Sequence, residues 1–294
     1  MRTAAAALAF GLALVSTPAL AKEVSVVASF SVLGDIVKEV GGDKIALTVL
    51  VGPDGDAHTF EPSPADAKTL ANADLLVVNG LGLESWLPKL AAASGTNARF
   101  ATASFGVLPR DMNEDGKDIT DPHAWQSLSN GAIYVRNVEE ALEKVDPADA
   151  PTFKANASKL LAELAGLDQW TRQQLAAVPA DKRKVITTHD AFGYFGAAYG
   201  VTFLAPEGIS TDSEPSAKGL AALTDQIKRE HIKALFIENM TDPRLMQTIS
   251  KETGAEMGGE LYSDALSAPD GPAPTYPGMF RNNVPKLVAA MLKN

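Results

Sequence analysis

The chain alternates between two hydrophobic rhythms. An apolar, β-branched run from Val24 to Ser29 reads as a buried strand, and Val32 to Val40 switches to helical spacing before stopping at Gly41-Gly42. Ile45 to Val51 is the next strand. Pro64 to Ala71 predicts a short helix, with Ser63 as its N-cap and Pro64 at the first helical position. Asp74 to Asn79 is a third strand, Glu84 to Ala93 a helix, and Ala98 to Ala103 a fourth strand. The grammar then repeats. Strands at Lys184 to Thr188, Val201 to Leu204, Lys233 to Glu238 and Glu256 to Leu261 alternate with helices. These helices fall at Ala191 to Tyr199, Ser216 to Glu230, Pro243 to Thr253 and Pro285 to Lys293. Such alternation implies parallel sheets with right-handed crossovers.

The stretch between these halves differs. From Ala132 to Ala177 there is almost no strand signal, and Phe153, Leu160, Leu161, Leu164, Leu167 and Trp170 fall on one helical stripe. A helix over roughly 152–178 would be about 40 Å long at ~1.5 Å per residue. Its position predicts a rigid spine between two lobes. The expected architecture is therefore α/β, with two lobes, each a mainly parallel sheet flanked by helices, joined by one long rigid helix. The expected boundaries are an N-terminal lobe over 22–131, a helical connector over 132–180 and a C-terminal lobe over 181–294. A faint echo supports two similar lobes: Glu61-Pro62-Ser63 and Glu214-Pro215-Ser216 each precede a helix and then a strand.

Residues 1–21 read as an export signal: Arg2, an apolar run from Ala4 to Val15, then Ala19-Leu20-Ala21 as a small-x-small cleavage pattern. The chain has no cysteine, hence no disulfide, no thiolate ligand and no cysteine for lipid attachment. The expectation drawn from this is a soluble protein of the periplasm, untethered and monomeric. The net charge of −10 argues against nucleic acid and anionic membrane surfaces as partners, and is compatible with cations.

Three of the four histidines lie in loops: His58 in Gly52-Pro53 to Glu61-Pro62, His123 in Asp121-Pro122-His123-Ala124-Trp125, and His189 in Thr188-His189-Asp190-Ala191-Phe192. Asp264 follows the last weak strand. In open parallel sheets ligands bind beyond the carboxyl ends of strands. Loops of this kind, facing one another across two lobes, would bring together three imidazoles and one carboxylate, a set suited to tetrahedral Zn²⁺. Taken singly, each histidine reads better as a solvated loop residue than as a ligand, and Asp264 better still as a turn or helix cap; the joint pattern shifts the balance. His231, at a helix C-terminus among charges, is a surface imidazole. Asp56 and Glu61 flank His58, and either is a candidate to accept its second ring N–H. Asp111 to Gly116 begins like a calcium loop, but Pro122 stands where the twelfth-position Glu is required, leaving a solvated acidic loop. Motifs for hydrolases, phosphate loops and reactive cysteines are missing, and four protein ligands leave no vacant position for an activated water. Binding is favoured over a zinc-dependent hydrolase, and no enzymatic activity is expected.

These motifs together, with Tyr194-Phe195 and Ser263-Asp264-Ala265-Leu266-Ser267, resemble the metal-binding proteins of ABC importers for zinc and manganese, the cluster A-I solute-binding family. The resemblance runs from about Glu23 to the C-terminus. It implies a metal held between two lobes by His58, His123, His189 and Asp264, and docking on a permease in the inner membrane. Manganese members usually carry Glu at the position of His189, so the trio of histidines implies Zn²⁺ as the transported ion, with Mn²⁺ as the alternative. Many zinc members have a long His-rich loop, whereas here the stretch Asp111 to Asp121 is short, acidic and free of histidine. A separate periplasmic zinc chaperone is accordingly a candidate partner. Removing His189 is expected to cost metal affinity with little loss of fold.

Overall fold

The computed structural model describes residues 23–114, 117–212 and 215–294. The export segment 1–21, Asp115-Gly116 of the acidic loop and Glu214 of the second Glu-Pro-Ser motif lie outside the described residues.

The first lobe contains strands β1 (Val24–Phe30), β2 (Ile45–Val51), β3 (Leu75–Val78) and β4 (Arg99–Thr102), with helices α1 (Ser31–Gly41), α2 (Pro64–Ala71) and α3 (Leu87–Ser94). All its pairings are parallel, in the order β2-β1-β3-β4. Next come a hairpin, β5 (Asp111–Glu114) with β6 (Lys117–Thr120), and two helices, α4 (Leu128–Val145) and α5 (Ala150–Ala176). The second lobe contains β7 (Lys184–Ile186), α6 (Gly193–Tyr199), β8 (Thr202–Leu204), α7 (Ala217–Glu230), β9 (Ala234–Glu238), α8 (Arg244–Thr253), β10 (Glu256–Leu261) and α9 (Tyr276–Met291). Its sheet runs β10-β9-β7-β8, also parallel. Counted from its β8 edge, this sheet has the order second, first, third, fourth strand, as the first sheet has from its β2 edge. The two lobes therefore repeat one topology.

Local chemistry explains these elements well. Ser63 caps α2: its hydroxyl accepts the Asp66 backbone N–H, and the Asp66 carboxylate accepts that of Ser63. Ser216 caps α7 by accepting from Gly219, and His231, exposed, ends that helix in a left-handed conformation. Two expectations are corrected. The closing helix begins at Tyr276, not Pro285; Thr275 caps it and Pro277 occupies its first turn. Pro285 sits inside it on the exposed side, where water can serve the Arg281 carbonyl that loses its N–H partner. The acidic stretch is a β-hairpin instead of a loop, with Asp111 paired to Thr120.

Helix α5 is 27 residues long and buries Phe153, Ala157, Leu160, Leu164 and Leu167. It packs against α1, α4, α6 and α9. Leu161 and Trp170 of the expected stripe are only partly buried. The lobes are not separate bodies: one apolar core runs from β1 through α5 to Phe192, Phe195, Phe236 and α9, with a smaller cluster beneath α7 and α8. Among the described residues no helix is long and apolar enough to cross a membrane.

Candidate metal centre

The strands of each sheet end towards the same cleft, and the loops beyond them supply the site. His189 lies three residues past β7, Asp264 three past β10, His58 on the long loop after β2, and His123 just after the hairpin. A one-turn 3-10 helix at Ala124–Gln126 fixes the His123 turn. Trp125 Nε1 and Gln126 Nε2 both donate to the carbonyl oxygen of Ser263 at 2.8 Å, which ties this turn to the one carrying Asp264.

The structure brings all four sequence-predicted residues together. One ligand atom from each of His58, His123, His189 and Asp264 lies within 4.8 Å of all the others. Asp264 Oδ2 is 3.1 Å from His58 Nε2, 3.1 Å from His189 Nε2 and 3.5 Å from His123 Nε2. His58 Nε2 is also 3.1 Å from His123 Nε2. His123, His189 and Asp264 are fully buried, and the His58 side chain is 5 % exposed. The second carboxylate oxygen of Asp264, Oδ1, is buried without a hydrogen-bond partner. His58 alone of the four lines an open cleft of about 670 Å³, walled by Leu81, Ile119, Pro122 and Ile209.

Two buried carboxylates that the sequence reading did not single out stand behind the rings. Asp121 Oδ1 lies 2.8 Å from His123 Nδ1, and Glu238 Oε2 lies 2.8 Å from His189 Nδ1. Asp121 was in plain view, two residues ahead of its histidine, and Glu238 ends a strand at the ligand-binding edge. The expected orienters act otherwise: Asp56 accepts the backbone N–H of His58 at 2.8 Å, and Glu61 is exposed. Arg110 neutralises Asp121 at 2.7 Å and lies over the Tyr194 ring. A Cβ on Gly193 would fall 1.8 Å from that guanidinium and 2.6 Å from Asp121 Oδ2, so any side chain there would have to displace the Arg110–Asp121 pair.

The electrostatics differ among the three rings. Burial lowers His58 below its usual range, against the pull of Asp264. Burial also opposes charge on His123, but Asp264 and Asp121 outweigh it and raise the group to about 9. In His189, Glu238 and Asp264 together overcome burial and push it well up. Burial would raise Asp264, yet His123 and His189 hold it well below the usual carboxylate range. The centre is thus a buried anion surrounded by protons that a cation can replace.

A closed set of three imidazoles and one carboxylate between two lobes of shared topology defines a protein that binds divalent metal ions. Comparison with known proteins gives the class its family. The model for the zinc-uptake complex component A, periplasmic, matches residues 26–290, and the chain belongs to this family of metal-binding substrate-binding proteins of ABC transporters. The manganese-binding lipoprotein MntA of Halalkalibacterium halodurans is 31 % identical, covering 90 % of this chain and 88 % of its own. The metal ABC transporter substrate-binding lipoprotein ScbA of Streptococcus cristatus is also 31 % identical, covering 95 % and 92 %. Among solved structures, the periplasmic zinc-binding protein TroA of Treponema pallidum superposes with a TM-score of 0.87 at 29 % identity, over 92 % of this chain and 99 % of TroA. A manganese-bound point mutant of a periplasmic metal-binding protein from Candidatus Liberibacter asiaticus gives 0.85 at 32 % identity, over 92 % and 100 %. These relatives correct one expectation. MntA and ScbA are named lipoproteins, which goes against the reading of an untethered protein free in the periplasm, and that reading does not stand. The missing cysteine is a fact of composition and did not license it.

Proposed function

We propose that this protein binds Zn²⁺ through His58, His123, His189 and Asp264 and hands it to the membrane permease of an ABC importer. The observation that carries the reading is the buried four-donor cluster with an unpartnered Asp264 oxygen. Three imidazole nitrogens favour zinc over the harder, oxygen-preferring manganese. Four protein ligands close the coordination sphere, so the ion is cargo and the protein is not an enzyme. The chain is read as acting as a monomer, and a histidine-free hairpin at the cleft favours loading by a separate zinc chaperone.

A second reading, manganese as cargo, is favoured by one feature. If both Asp264 oxygens bind, the set becomes three nitrogens and two oxygens, and the matched relative MntA is named manganese-binding. Competition titration at fixed pH, paired with uptake of radiolabelled zinc and manganese under chelation, separates the two. Zinc should bind more tightly and be the ion taken up; zinc binding that leaves zinc uptake unaffected by deletion of the protein would overturn the assignment.

A further inference from the structure

Two carboxylates each stand against the backbone N–H and the Nδ1 of a different histidine. Asp121 Oδ1 accepts the backbone N–H of His123 at 2.9 Å and faces its Nδ1 at 2.8 Å. Glu238 accepts the backbone N–H of His189 at 3.0 Å through Oε1 and faces its Nδ1 at 2.8 Å through Oε2. All four residues are buried. The origins of the two carboxylates are unrelated: Asp121 reaches forward two residues, whereas Glu238 comes from β9, the strand paired beside β7. A carboxylate beside Nδ1 has thus been placed by local sequence in one case and by sheet register in the other.

Asp121 hydrogen-bonds its histidine at both ends, whereas Glu238 hydrogen-bonds the backbone N–H of His189 and meets its Nδ1 as an ion-pair contact. Holding the backbone N–H fixes where the residue starts, and holding Nδ1 fixes the ring plane. A carboxylate at Nδ1 also favours the tautomer with hydrogen there, which leaves the Nε2 lone pair free and aimed at Asp264. A buried carboxylate is costly unless compensated. Arg110 compensates Asp121, but both described contacts of the Glu238 carboxylate go to His189.

We propose that Glu238 and Asp121 are the positioning residues of the metal site, locking the plane and tautomer of His189 and His123 so that Nε2 is presented to the ion. This rests on the ligand assignment proposed above. Glu238→Gln tests it with almost no change of shape. The amide oxygen still accepts the backbone N–H, but the amide NH₂ now faces Nδ1 and favours hydrogen on Nε2, where the metal must bind.

The expected result is a 10–100-fold loss of zinc affinity, an unchanged far-ultraviolet dichroism spectrum and a shifted visible spectrum of the cobalt-loaded protein. Asp121→Asn should cost less affinity, because Oδ1 alone makes both contacts and an amide oxygen in its place can keep them. Glu207→Gln is the control: Glu207 is half-buried and feels the charge of His189 without a described contact to a histidine ring, so its loss should change affinity little. Wild-type affinity and cobalt spectrum in Glu238→Gln, while His189→Ala loses the metal, would overturn the proposal and leave the ligand assignment standing. Equal loss in Glu207→Gln would overturn it too, by showing that charge alone matters. A wild-type protein that binds no zinc would remove the ligand assignment and the proposal together.

Discussion

Trp125 donates its indole N–H to the carbonyl oxygen of Ser263 at 2.8 Å, which ties the turn carrying His123 to the turn carrying Asp264. The ring is fully buried, packed 4.8 Å from Phe30 and 5.3 Å from the His123 imidazole. Trp125→Phe removes the donor and leaves a void beside His123. It should cost about 1–3 kcal/mol of stability, since Gln126 still satisfies the carbonyl, and should weaken zinc binding. Urea denaturation with a parallel zinc titration checks both; an unweakened affinity would show that the two turns are placed independently.

The buried charges predict how binding responds to pH. Two of the imidazoles around Asp264 carry protons that a divalent ion must displace. His123, raised to about 9, and His189, also raised, hold those protons near neutrality, while lowered His58 does not. Metal must displace them from Nε2, so affinity should climb with pH, by up to about two log units per unit, and the gain from His123 should cease above about 9. The metal-free fold behaves oppositely. The raised pKa of His123 contributes stability that is complete below the unfolded value of about 6.5 and disappears as pH rises through about 9. Calorimetry in buffers of different ionisation enthalpy counts the protons; release of none would contradict this balance.

The three histidines should not be equivalent under mutation. His58 shows no carboxylate at its second ring nitrogen among the described contacts and borders the open cleft. His58→Ala should therefore weaken zinc binding while leaving the metal-free protein about as stable as wild type. His189→Ala removes the partner of buried Glu238, so it should lose metal and also destabilise the metal-free fold, by about 3–5 kcal/mol if Glu238 stays charged. The simpler expectation from sequence, that His189 is dispensable for folding, is revised for this reason. Denaturation of both variants without metal decides; equal stabilities would mean that Glu238 is compensated in another way.

Much of the molecule was legible before the structure. The runs at Ile45–Val51 and Glu256–Leu261 match their strands residue for residue, and Ser63-Pro64 marks the start of α2. Such elements are set by local patterning and capping, which sequence carries directly. The convergence of His58, His123, His189 and Asp264 was legible because ligands gather beyond strand ends in parallel sheets. What escaped was non-local. Glu238 looks like an ordinary strand terminus until β9 pairs beside β7 and brings it under His189. Helix α9 was truncated because Pro285 imitates a helix start, a role that Thr275 and Pro277 in fact fill. The β5–β6 pairing lies in an acidic stretch with no apolar alternation, so no period-2 signal announces it.

The continuous core constrains how the metal can leave. Phe195 of α6 stacks on Phe280 of α9 at 6.1 Å, and the Tyr276 hydroxyl donates to the Trp125 carbonyl oxygen at 2.6 Å. Opening the cleft by wide rotation of the lobes would expose apolar surface at about 25 cal/mol per Å² and break such contacts. The contacts nearer the site are fewer and polar: Thr211 to Asp56 at 2.6 Å and Asn239 to Asp54 at 2.8 Å. Removal of zinc should therefore loosen the loops around His58 and Thr211 and leave β1, α5 and α9 protected. Hydrogen exchange with and without zinc distinguishes the cases. Matching exchange in the loops, with new exchange along α5 and α9, would mean that the shared core opens and that the spine is not rigid.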